Sequence, residues 1–495
     1  MDDVMISVEN IDKSFGGVHA LKQVSMTVRK GEIHCLAGEN GSGKSTLIKV
    51  ISGYYKPDSG VIRIGDHAYA SLTPAESIRD GVQVIYQDFS LFPNLSVMEN
   101  LALNSEVARG TKIVSYRRMR ETARQAVEKI GLKVDMNARV ADLSVADRQM
   151  IAIARALVHK AKVVIMDEAT ASLTRKEVNR LFEVIHAMRN EGVAVVFVSH
   201  KLDEVFEISD TITIFRNGRN VISCAASEMD ESKFSYYMTG REMKTVDNEP
   251  PVGDESQVVL DVKNLSSQGA FENVNFQLRR GEILGVAGQL GSGRTELAMA
   301  LFGLQPITGG AVSIHGKPVR IKNVMEAQRL GIAYVPEDRL TEGLFMPQSL
   351  TRNEIITHLK AVSKKGGVLD KSKADAEMDS WIQTLSVATD SRDTAAQKLS
   401  GGNQQKVVLA KWLACKPDIL ILNGPTVGVD IGAKQDIYDL LCHYAREGMS
   451  IIIASDDIRE VEALCNRVIV MRGGKVSRFL TGDEITAASL TEAAI

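Results

Sequence analysis

One stretch of the chain combines glycines, a lysine and a serine at a spacing that suits phosphate binding. Residues 38–45, GENGSGKS, fit the pattern GxxxxGK[ST]. Glycines at such positions let backbone N–H groups turn inward around an anion at the start of a helix. An apolar segment (33–37) precedes the loop and a helical pattern follows it, so a strand, a loop and a helix are predicted in that order. We therefore predict a phosphate-binding loop.

The side chains of this loop have separate expected roles. Lys44 is expected to reach the β- and γ-phosphates of a nucleotide, and Ser45 to supply a hydroxyl ligand to Mg²⁺. Upstream, the aromatic face of Phe15 is a candidate for stacking on adenine, with simple core packing as the alternative. The predicted nucleotide-contacting loop consists of Gly38, Glu39, Asn40, Gly41, Ser42, Gly43, Lys44, Ser45 and Thr46.

Two acidic residues end a second apolar segment, VVIMDE, at positions 167 and 168. Unpaired acids at the end of a buried strand are costly unless they have a function. Asp167 is expected to join the Mg²⁺ coordination shell through water, and Glu168 to polarise the attacking water. Helix capping is the structural alternative for both.

Two further polar residues follow apolar segments. His200 comes after VVFVS and is predicted to hold the γ-phosphate, with a hydrogen-bonded core histidine as the alternative. Gln87, in YQD, is predicted to sense the metal and the water, with an ordinary loop glutamine as the alternative. The catalytic prediction is therefore Glu168, His200 and Gln87. The metal prediction is Ser45, Gln87 and Asp167.

The chain also repeats itself. GEIHCLAGENGSGKSTL starts at Gly31 and GEILGVAGQLGSGRTEL at Gly281, an offset of 250 residues. DLSVADRQ and KLSGGNQQ, with Ser144 and Ser400, are 256 residues apart, and later motifs keep that offset. Chance does not preserve register over so many motifs, so the halves are duplicates. We predict domains at 1–240 and 258–495, joined by a polar, acidic linker at 241–257.

Bulk properties and periodicity limit the fold class. The 495 residues exceed one ordinary core, and short β-branched segments alternate with longer helical patterns. This indicates α/β domains with largely parallel sheets and a helical subdomain near residues 95–160. A net charge of −3 does not resemble that of a nucleic-acid binder. The apolar segments are too short to span a bilayer, and the N-terminal residues do not form a secretory signal.

Taken in order, the loop, Gln87, LSVAD, VVIMDE and His200 resemble an ATP-binding cassette. With the duplication, the chain resembles the tandem-cassette ATPases of bacterial sugar importers, the ribose, galactose, arabinose and xylose group. GSGRTEL, YVPEDRLTEGLF and LSGGNQQK are features of that group. The resemblance implies two tandem ABC-type P-loop domains, each with a helical subdomain, that use ATP and Mg²⁺ to drive import of a monosaccharide or a related polyol or nucleoside.

The resemblance also implies partners and a location. A separate transmembrane permease, expected to be a homodimer, and an external solute-binding protein would complete the transporter, with no nucleic acid involved. The chain would lie peripherally on the cytoplasmic face of the bacterial inner membrane. Residues 89–101, FSLFPNLSVMENL, are the expected docking segment for the permease, with core packing as the alternative.

In this family the cassettes face each other head to tail, and each nucleotide lies between the loop of one and the LSGGQ-like signature of the other. Site one would join the first-half residues named above to the signature of the second half: Ser400, Gly401 and Gly402. Site two would join the signature serine of the first half, Ser144, to a degenerate set in the second half: Gly288, Gly293, Arg294, Thr295, Glu337, Asn423, Gly424 and Asp456.

All the defects fall in site two. Arg294 replaces the loop lysine and cannot copy its compact ammonium group. Asn423 lowers the charge near the metal, and Gly424 cannot act as a base. We therefore expect one hydrolytic site, with two alternatives: a soluble tandem-cassette translation factor, or a regulatory ATP binder without turnover. The short acidic linker argues against the first, and the complete site one against the second.

Overall fold

In the computed structural model, residues 3–86, 90–108, 114–158, 161–170, 173, 175–199, 201–240 and 252–494 are described, apart from the side chains of 175, 255 and 431. The chain divides into two compact units, Met1–Met243 and Lys244–Ile495. Within the described ranges, no helix combines the length and the apolarity needed to cross a membrane.

In the described part of the first unit, ten strands form two sheets. The strands are β1 (Val4–Phe15), β2 (Val18–Arg29), β3 (Ile33–Gly38), β4 (Ser59–Ile64), β5 (His67–Tyr69), β6 (Val82–Ile85), β7 (Val163–Asp167), β8 (Ala194–Val198), β9 (Thr211–Arg216) and β10 (Arg219–Ala225). An antiparallel sheet has the order β2-β1-β4-β5, and a six-stranded sheet has the order β10-β9-β3-β8-β7-β6.

The six-stranded sheet positions the candidate site. β3, β8, β7 and β6 run parallel, with Ile33 opposite Val195 and Val163 opposite Ala194. β3 and β8 are buried along their whole length, which is typical of central parallel strands covered on both faces. Because parallel strands end at the same edge, the residues after β3, β7 and β8 emerge together.

The α-helices seen in the described ranges of the first unit are α1 (Lys44–Ile51), α2 (Pro74–Arg79), α3 (Val97–Ala108), α4 (Tyr116–Lys129), α5 (Val145–Val158), α6 (Arg175–Asn190), α7 (Leu202–Ile208) and α8 (Glu231–Thr239). α2 starts at a capping box in which Thr73 and Glu76 satisfy each other's backbone amides. α3, α4 and α5 pack on one another as the helical subdomain expected near residues 95–160.

The second unit repeats this plan. Its strands are β11 (Asp254–Ser267), β12 (Phe271–Arg280), β13 (Ile283–Ala287), β14 (Gly309–Ile314), β15 (Lys317–Val319), β16 (Ile332–Val335), β17 (Ile419–Asn423), β18 (Ser450–Ser455), β19 (Arg467–Arg472) and β20 (Lys475–Thr481). The sheet orders, β12-β11-β14-β15 and β16-β17-β18-β13-β19-β20, match those of the first unit. The sequence duplication is therefore a duplication of topology.

The helices of the second unit are α9 (Arg294–Leu301), α10 (Val324–Arg329), α11 (Leu350–Ile355), α12 (Lys371–Thr384), α13 (Gly401–Leu413), α14 (Ile431–Arg446), α15 (Ile458–Leu464) and α16 (Ala487–Ala494). A π-helical turn, Arg339–Gly343, precedes α11. The α/β class and the helical subdomain in each half are confirmed.

The predicted linker at 241–257 differs from the structure at its C-terminal end. Asp254 already belongs to β11 and pairs with Arg280 of β12, so the last four residues of that segment form strand. The polar composition indicated a linker. These residues instead pair with β12 and form a strand that faces solvent. Residues 241–251 lie outside the described part of the chain.

Candidate nucleotide-binding sites

The loop between β3 and α1 has a backbone that only glycines can follow at key positions. Gly43 has φ of 109°, and a Cβ there would lie 2.7 Å from the carbonyl oxygen of Ala20. At Gly38 a Cβ would lie 2.5 Å from the Ser42 hydroxyl. Glycine alone tolerates both the left-handed turn and the close approach. The glycine spacing in the sequence therefore has a steric cause.

Lys44 is held inside this loop. Its Nζ donates to the carbonyl oxygens of Gly38, at 2.6 Å, and Glu39, at 3.0 Å. The residue is only 6% exposed, and burial lowers the pKa of Lys44, opposed by the nearby charges of Glu168 and Asp167. The loop carbonyls thus fix the position of the ammonium group.

The N-terminus of α1 presents free backbone donors. Its N-cap, Gly43, provides no side-chain acceptor, whereas Ser115 caps the first turn of α4. The first amides of a helix lack partners within the helix and carry the positive end of its dipole. The start of α1 has no side-chain cap, follows a glycine loop and carries Lys44. Its backbone amides and the lysine therefore fit a phosphate group.

The predicted acids meet the loop at the end of β7. Burial and the charge of Glu168 raise the pKa of Asp167, whereas Lys44 and a hydrogen bond with Ser45 act in the opposite direction. A carboxylate and a hydroxyl at one point are the oxygen ligands that Mg²⁺ prefers. The residues present therefore fit a Mg²⁺ ion.

Glu168 stands in an unusual backbone conformation. Its φ is 49°, and its amide donates to the carbonyl oxygen of Val198 at 3.2 Å. A non-glycine residue in the left-handed region stores on the order of 1–3 kcal/mol of strain, which is typical of functional sites. The turn directs an acid out of the end of the strand.

Phe15 is 39% exposed at the end of β1, and the centroid of its ring lies 4.9 Å from that of Tyr55 in an edge-to-face arrangement. Lys13 Nζ lies 5.3 Å from its centroid. The ring therefore lies at the surface rather than in the core, and stacking on adenine stays a prediction. Gln87 and His200 lie outside the described residues.

In the second unit, Arg294 occupies the position of the loop lysine. It is 2% exposed, and Nη2 lies 3.3 Å from Oδ1 of Asp456. None of its three nitrogens has an aligned hydrogen-bond acceptor among the described residues. Gly293, at φ of 95°, starts α9 without a side-chain cap, and a Cβ on Gly288 would lie 2.7 Å from the Met471 carbonyl. A buried fork of N–H donors at such a helix start fits phosphate oxygens.

The metal side of the second unit is occupied by the chain's own hydrogen bonds. The Thr295 hydroxyl donates to Oδ1 of Asn423 at 3.3 Å, and Nδ2 of Asn423 donates to the hydroxyl of Tyr334 at 3.5 Å. The Asn423 side chain is buried and neutral. It replaces a carboxylate without supplying negative charge, so these residues fit a Mg²⁺ ion poorly.

Gly424 reproduces the backbone of Glu168. Its φ is 55°, and its amide donates to Ala454 at 2.8 Å. A Cβ at Gly424 would lie 2.9 Å from Cγ2 of Val427 and 3.1 Å from Cγ of Glu337. The half-buried Glu337 therefore occupies space beside the position where a catalytic acid would stand.

The two signature serines differ in their hydrogen bonds. Ser144 donates its hydroxyl proton to Asp147 at 2.8 Å. Ser400 instead accepts from Nδ2 of Asn403 at 2.8 Å and from the Asn403 amide at 3.5 Å. No described residue accepts the Ser400 proton, so this hydroxyl can donate to a ligand. The carboxylate of Asp147, by contrast, adds negative charge beside Ser144.

A family model described as ABC transporter matches residues 21–171 and 271–427, more than half of the chain. The chain belongs to the ABC transporter family. The ribose import ATP-binding protein RbsA of Shouchella clausii is 41% identical over 98% of this chain and 97% of its own length. The proteins of that name from Bacillus subtilis and Geobacillus kaustophilus are each 40% identical, over 98% and 99% of both chains respectively.

In this ABC transporter chain, sequence reasoning missed Arg339 of the second cassette. Its guanidinium donates to the carbonyl oxygens of Val427, at 2.6 Å, and Gly428, at 3.1 Å, and to Oε1 of Gln404 at 3.3 Å. A Cβ at Gly401 would lie 2.6 Å from Nη2 of Arg339 and 2.8 Å from the carbonyl oxygen of Gly428, and the backbone contact favours glycine there. The basic residue after YVPED was a visible signal, but its partners are distant in sequence.

The docking segment predicted at 89–101 divides into two parts. Val97 and Leu101 are buried in the helical subdomain, in agreement with the core alternative. Phe92 is 51% exposed, and its amide is fixed by Oδ1 of Asn100 at 2.8 Å. Among the described residues of this segment, 90–101, the turn before α3 therefore offers an exposed apolar side chain, and Phe89 lies outside the described residues.

Proposed function

We propose that this ABC transporter chain is the ATP-hydrolysing subunit of an importer for a monosaccharide or a related polyol or nucleoside, with one competent ATP site. The observation that carries the proposal is the set formed by Lys44, Asp167 and Glu168. These three residues lie at one edge of the first cassette's sheet, and their second-unit counterparts are an arginine, an asparagine and a glycine. The resemblance over nearly the full length to ribose import ATP-binding proteins supports a sugar as the cargo.

Each group of the first cassette has a step in hydrolysis. Lys44 and the first amides of α1 bind the β- and γ-phosphates and offset the charge that develops there. Ser45, Asp167 and Gln87 would hold Mg²⁺, which when bound neutralises phosphate charge. Glu168 accepts the proton of the attacking water, and His200 orients the γ-phosphate. Phe15 stacks on adenine.

The resemblance to the family implies that the signature of the second cassette completes the site, in a head-to-tail arrangement. The hydroxyl of Ser400 has its lone pairs occupied by Asn403 and retains its proton for a phosphate oxygen. The Ser144 proton is already donated to Asp147. Unequal hydroxyls therefore support one productive site.

The second cassette binds nucleotide without cleaving it. Arg294 offers buried donors to phosphate oxygens, but no carboxylate stands at Asn423 or Gly424. An arginine fork binds phosphate well and supplies no base for water. The second nucleotide would then stay bound without being hydrolysed.

A membrane permease and a solute-binding protein complete the transporter, and the chain works peripherally on the cytoplasmic face. Each cassette presents an exposed phenylalanine on an asparagine-braced turn. Phe92 is 51% exposed and Phe345 is 60% exposed. Their amides donate to Asn100 at 2.8 Å and to Asn353 at 2.7 Å. Two equivalent apolar turns suit a permease built from two copies of one chain.

The test is ATP-dependent uptake of labelled pentoses and hexoses into vesicles that contain this chain with its co-purified permease and the solute-binding protein. Uptake should require ATP on the side of the membrane that carries the cassettes. It should be lost in Glu168→Gln. A matched control is Glu177→Gln, an acid of α6 in the same cassette, which should transport normally. Co-purification with ribosomes instead of a permease would favour the translation-factor alternative.

A further inference from the structure

Three ionisable side chains meet inside the helical subdomain of the second cassette, outside the nucleotide-binding residues. Glu354 lies in α11, His358 comes four residues later, and Glu377 lies in α12. Nε2 of His358 lies 3.3 Å from Oε1 of Glu354 and 3.2 Å from Oε1 of Glu377. One donor atom from each residue lies within 4.8 Å of the other two. The three groups can therefore share one ligand.

The carboxylate of Glu354 is costly where it stands. Its side chain is 0% exposed, and that of His358 is 8% exposed. Neither oxygen of Glu354 has an aligned hydrogen-bond donor among the described residues. A buried carboxylate is tolerated when it is paired or coordinates a metal.

The ring of His358 presents a lone pair rather than a proton to the two acids. The hydroxyl of Thr357 donates to the carbonyl oxygen of Lys411 at 2.8 Å, so it can only accept from Nδ1 of His358, at 3.4 Å. Nδ1 then carries the proton of the neutral ring. A lone pair between two carboxyl groups is satisfied by a proton on one of them or by a cation, and a ring fixed through its other nitrogen is typical of metal ligands.

The duplicate unit shows that the fold does not require these residues. Asn100 and Asn353 brace equivalent turns by accepting the amides of Phe92 and Phe345, which aligns α3 with α11. The capped starts at Ser115 and Asp370 align α4 with α12 in the same way. The positions aligned with the three ionisable residues hold Leu101, Ser105 and Thr122.

Leu101 is 0% exposed, so the first unit packs a hydrocarbon where the second unit buries an acid. Exchange of a core leucine for a buried acid is destabilising unless a proton, a partner or a ligand compensates. The histidine and the second acid are present in the same unit as the buried acid. The three residues therefore form a set with a common function.

We propose that Glu354, His358 and Glu377 bind a divalent transition-metal cation, with Zn²⁺ as the best fit. Zn²⁺ binds histidine nitrogen and carboxylate oxygen at about 2.0–2.2 Å in tetrahedral geometry, which places donor atoms roughly 3.3–3.5 Å apart. The measured separations of 3.3 and 3.2 Å are close to that geometry. Three protein ligands leave a fourth position for water. The cation would tie the segment after α11 to α12.

The proposal is tested by titrating Zn²⁺ into the tag-free, full-length chain without nucleotide, followed by isothermal calorimetry. Glu354→Leu and His358→Ser each carry the residue that the first unit holds at the aligned position, so both are expected to fold. The parent should bind one equivalent more Zn²⁺ than either variant, or bind it more than about tenfold more tightly at that site. Zn²⁺ should raise the melting temperature of the parent and leave that of both variants unchanged.

His443→Ser is the matched control. His443 and Glu447 form a second four-residue pair in the same unit, 3.5 Å apart, but their side chains are 64% and 60% exposed. This variant should bind Zn²⁺ like the parent. The proposal fails if the parent binds no more Zn²⁺ than Glu354→Leu and His358→Ser, or if His443→Ser loses the same equivalent.

Discussion

The hydroxyl of Ser144 donates its proton to Asp147 at 2.8 Å, whereas the equivalent Ser400 accepts from Asn403 at the same distance. One exchange, aspartate for asparagine three residues into the signature, reverses the direction of the bond. The reversal leaves the Ser400 proton available to a phosphate oxygen. The half with the poorer catalytic strand therefore carries the better signature.

The first prediction follows from that asymmetry. Ser400→Arg should abolish hydrolysis, although its own half lacks both acids, if Ser400 serves the nucleotide held by Lys44 as we propose. Hydrogen bonds to charged groups contribute about 1.5–3 kcal/mol, so the loss should exceed tenfold. Ser144→Arg, the matched control, should be mild. ATPase rates of the purified transporter provide the measurement, and greater damage from Ser144→Arg would rule out head-to-tail sharing of sites within this chain.

The second prediction concerns the base. Glu168→Gln should lower the ATPase rate by roughly 10²–10⁴, the usual contribution of a positioned general base. Amide and carboxylate have the same shape, so ATP binding should persist in equilibrium titration. A variant that turned over within about threefold of the parent would show that Glu168 is not the base.

The third prediction is that restored acids do not restore chemistry. Asn423→Asp with Gly424→Glu should raise the ATPase rate less than twofold, because Arg294 and the Ser144 signature are unchanged. A side chain at 424 also meets Val427 and Glu337, at 2.9 and 3.1 Å from its Cβ, and adopts φ of 55°. We expect a lower melting temperature as well. A clear doubling of the rate would show that the two acids were the only defect.

The fourth prediction separates nucleotide binding from cleavage in the second cassette. In a Glu168→Gln background, the chain should bind two ATP molecules, and Arg294→Ala should reduce that number to one. The reason is that Arg294 buries donor nitrogens that have no aligned acceptor in the described part of the protein. Equilibrium dialysis with labelled ATP counts the sites. Arg320→Ala, a change in the same cassette outside the loop, is the control, and two sites in Arg294→Ala would contradict the assignment.

Much of the first site follows from local sequence. The glycine spacing from Gly38 to Gly43, the lysine and the pair of acids each depend on neighbours within a few residues. Parallel strands of known direction then bring the ends of β3 and β7 to one edge. The duplication predicted the fold of the second unit in the same way. The motifs keep the same spacing in both halves, so the strands follow the same order.

The linker boundary was less accessible to sequence reasoning. Asp254 and Gln257 are polar and follow two prolines, which favours a linker. These residues form a strand because they pair with the antiparallel strand that ends at Arg280, and Arg280 lies some distance along the chain. Solvent-facing strand residues and linker residues have the same composition, so pairing alone distinguishes them.

By itself, the sequence determined the fold class, the duplication and the residue types of both candidate sites, because these depend on spacing along the chain. Tertiary structure alone decided which groups are paired. Arg339 reaches Val427, and Glu354 lies buried beside Glu377 without a proton donor aligned to it in the described residues. Burial and hydrogen-bond direction arise from contacts between residues far apart in sequence, and these set whether a charge is satisfied or available to a ligand.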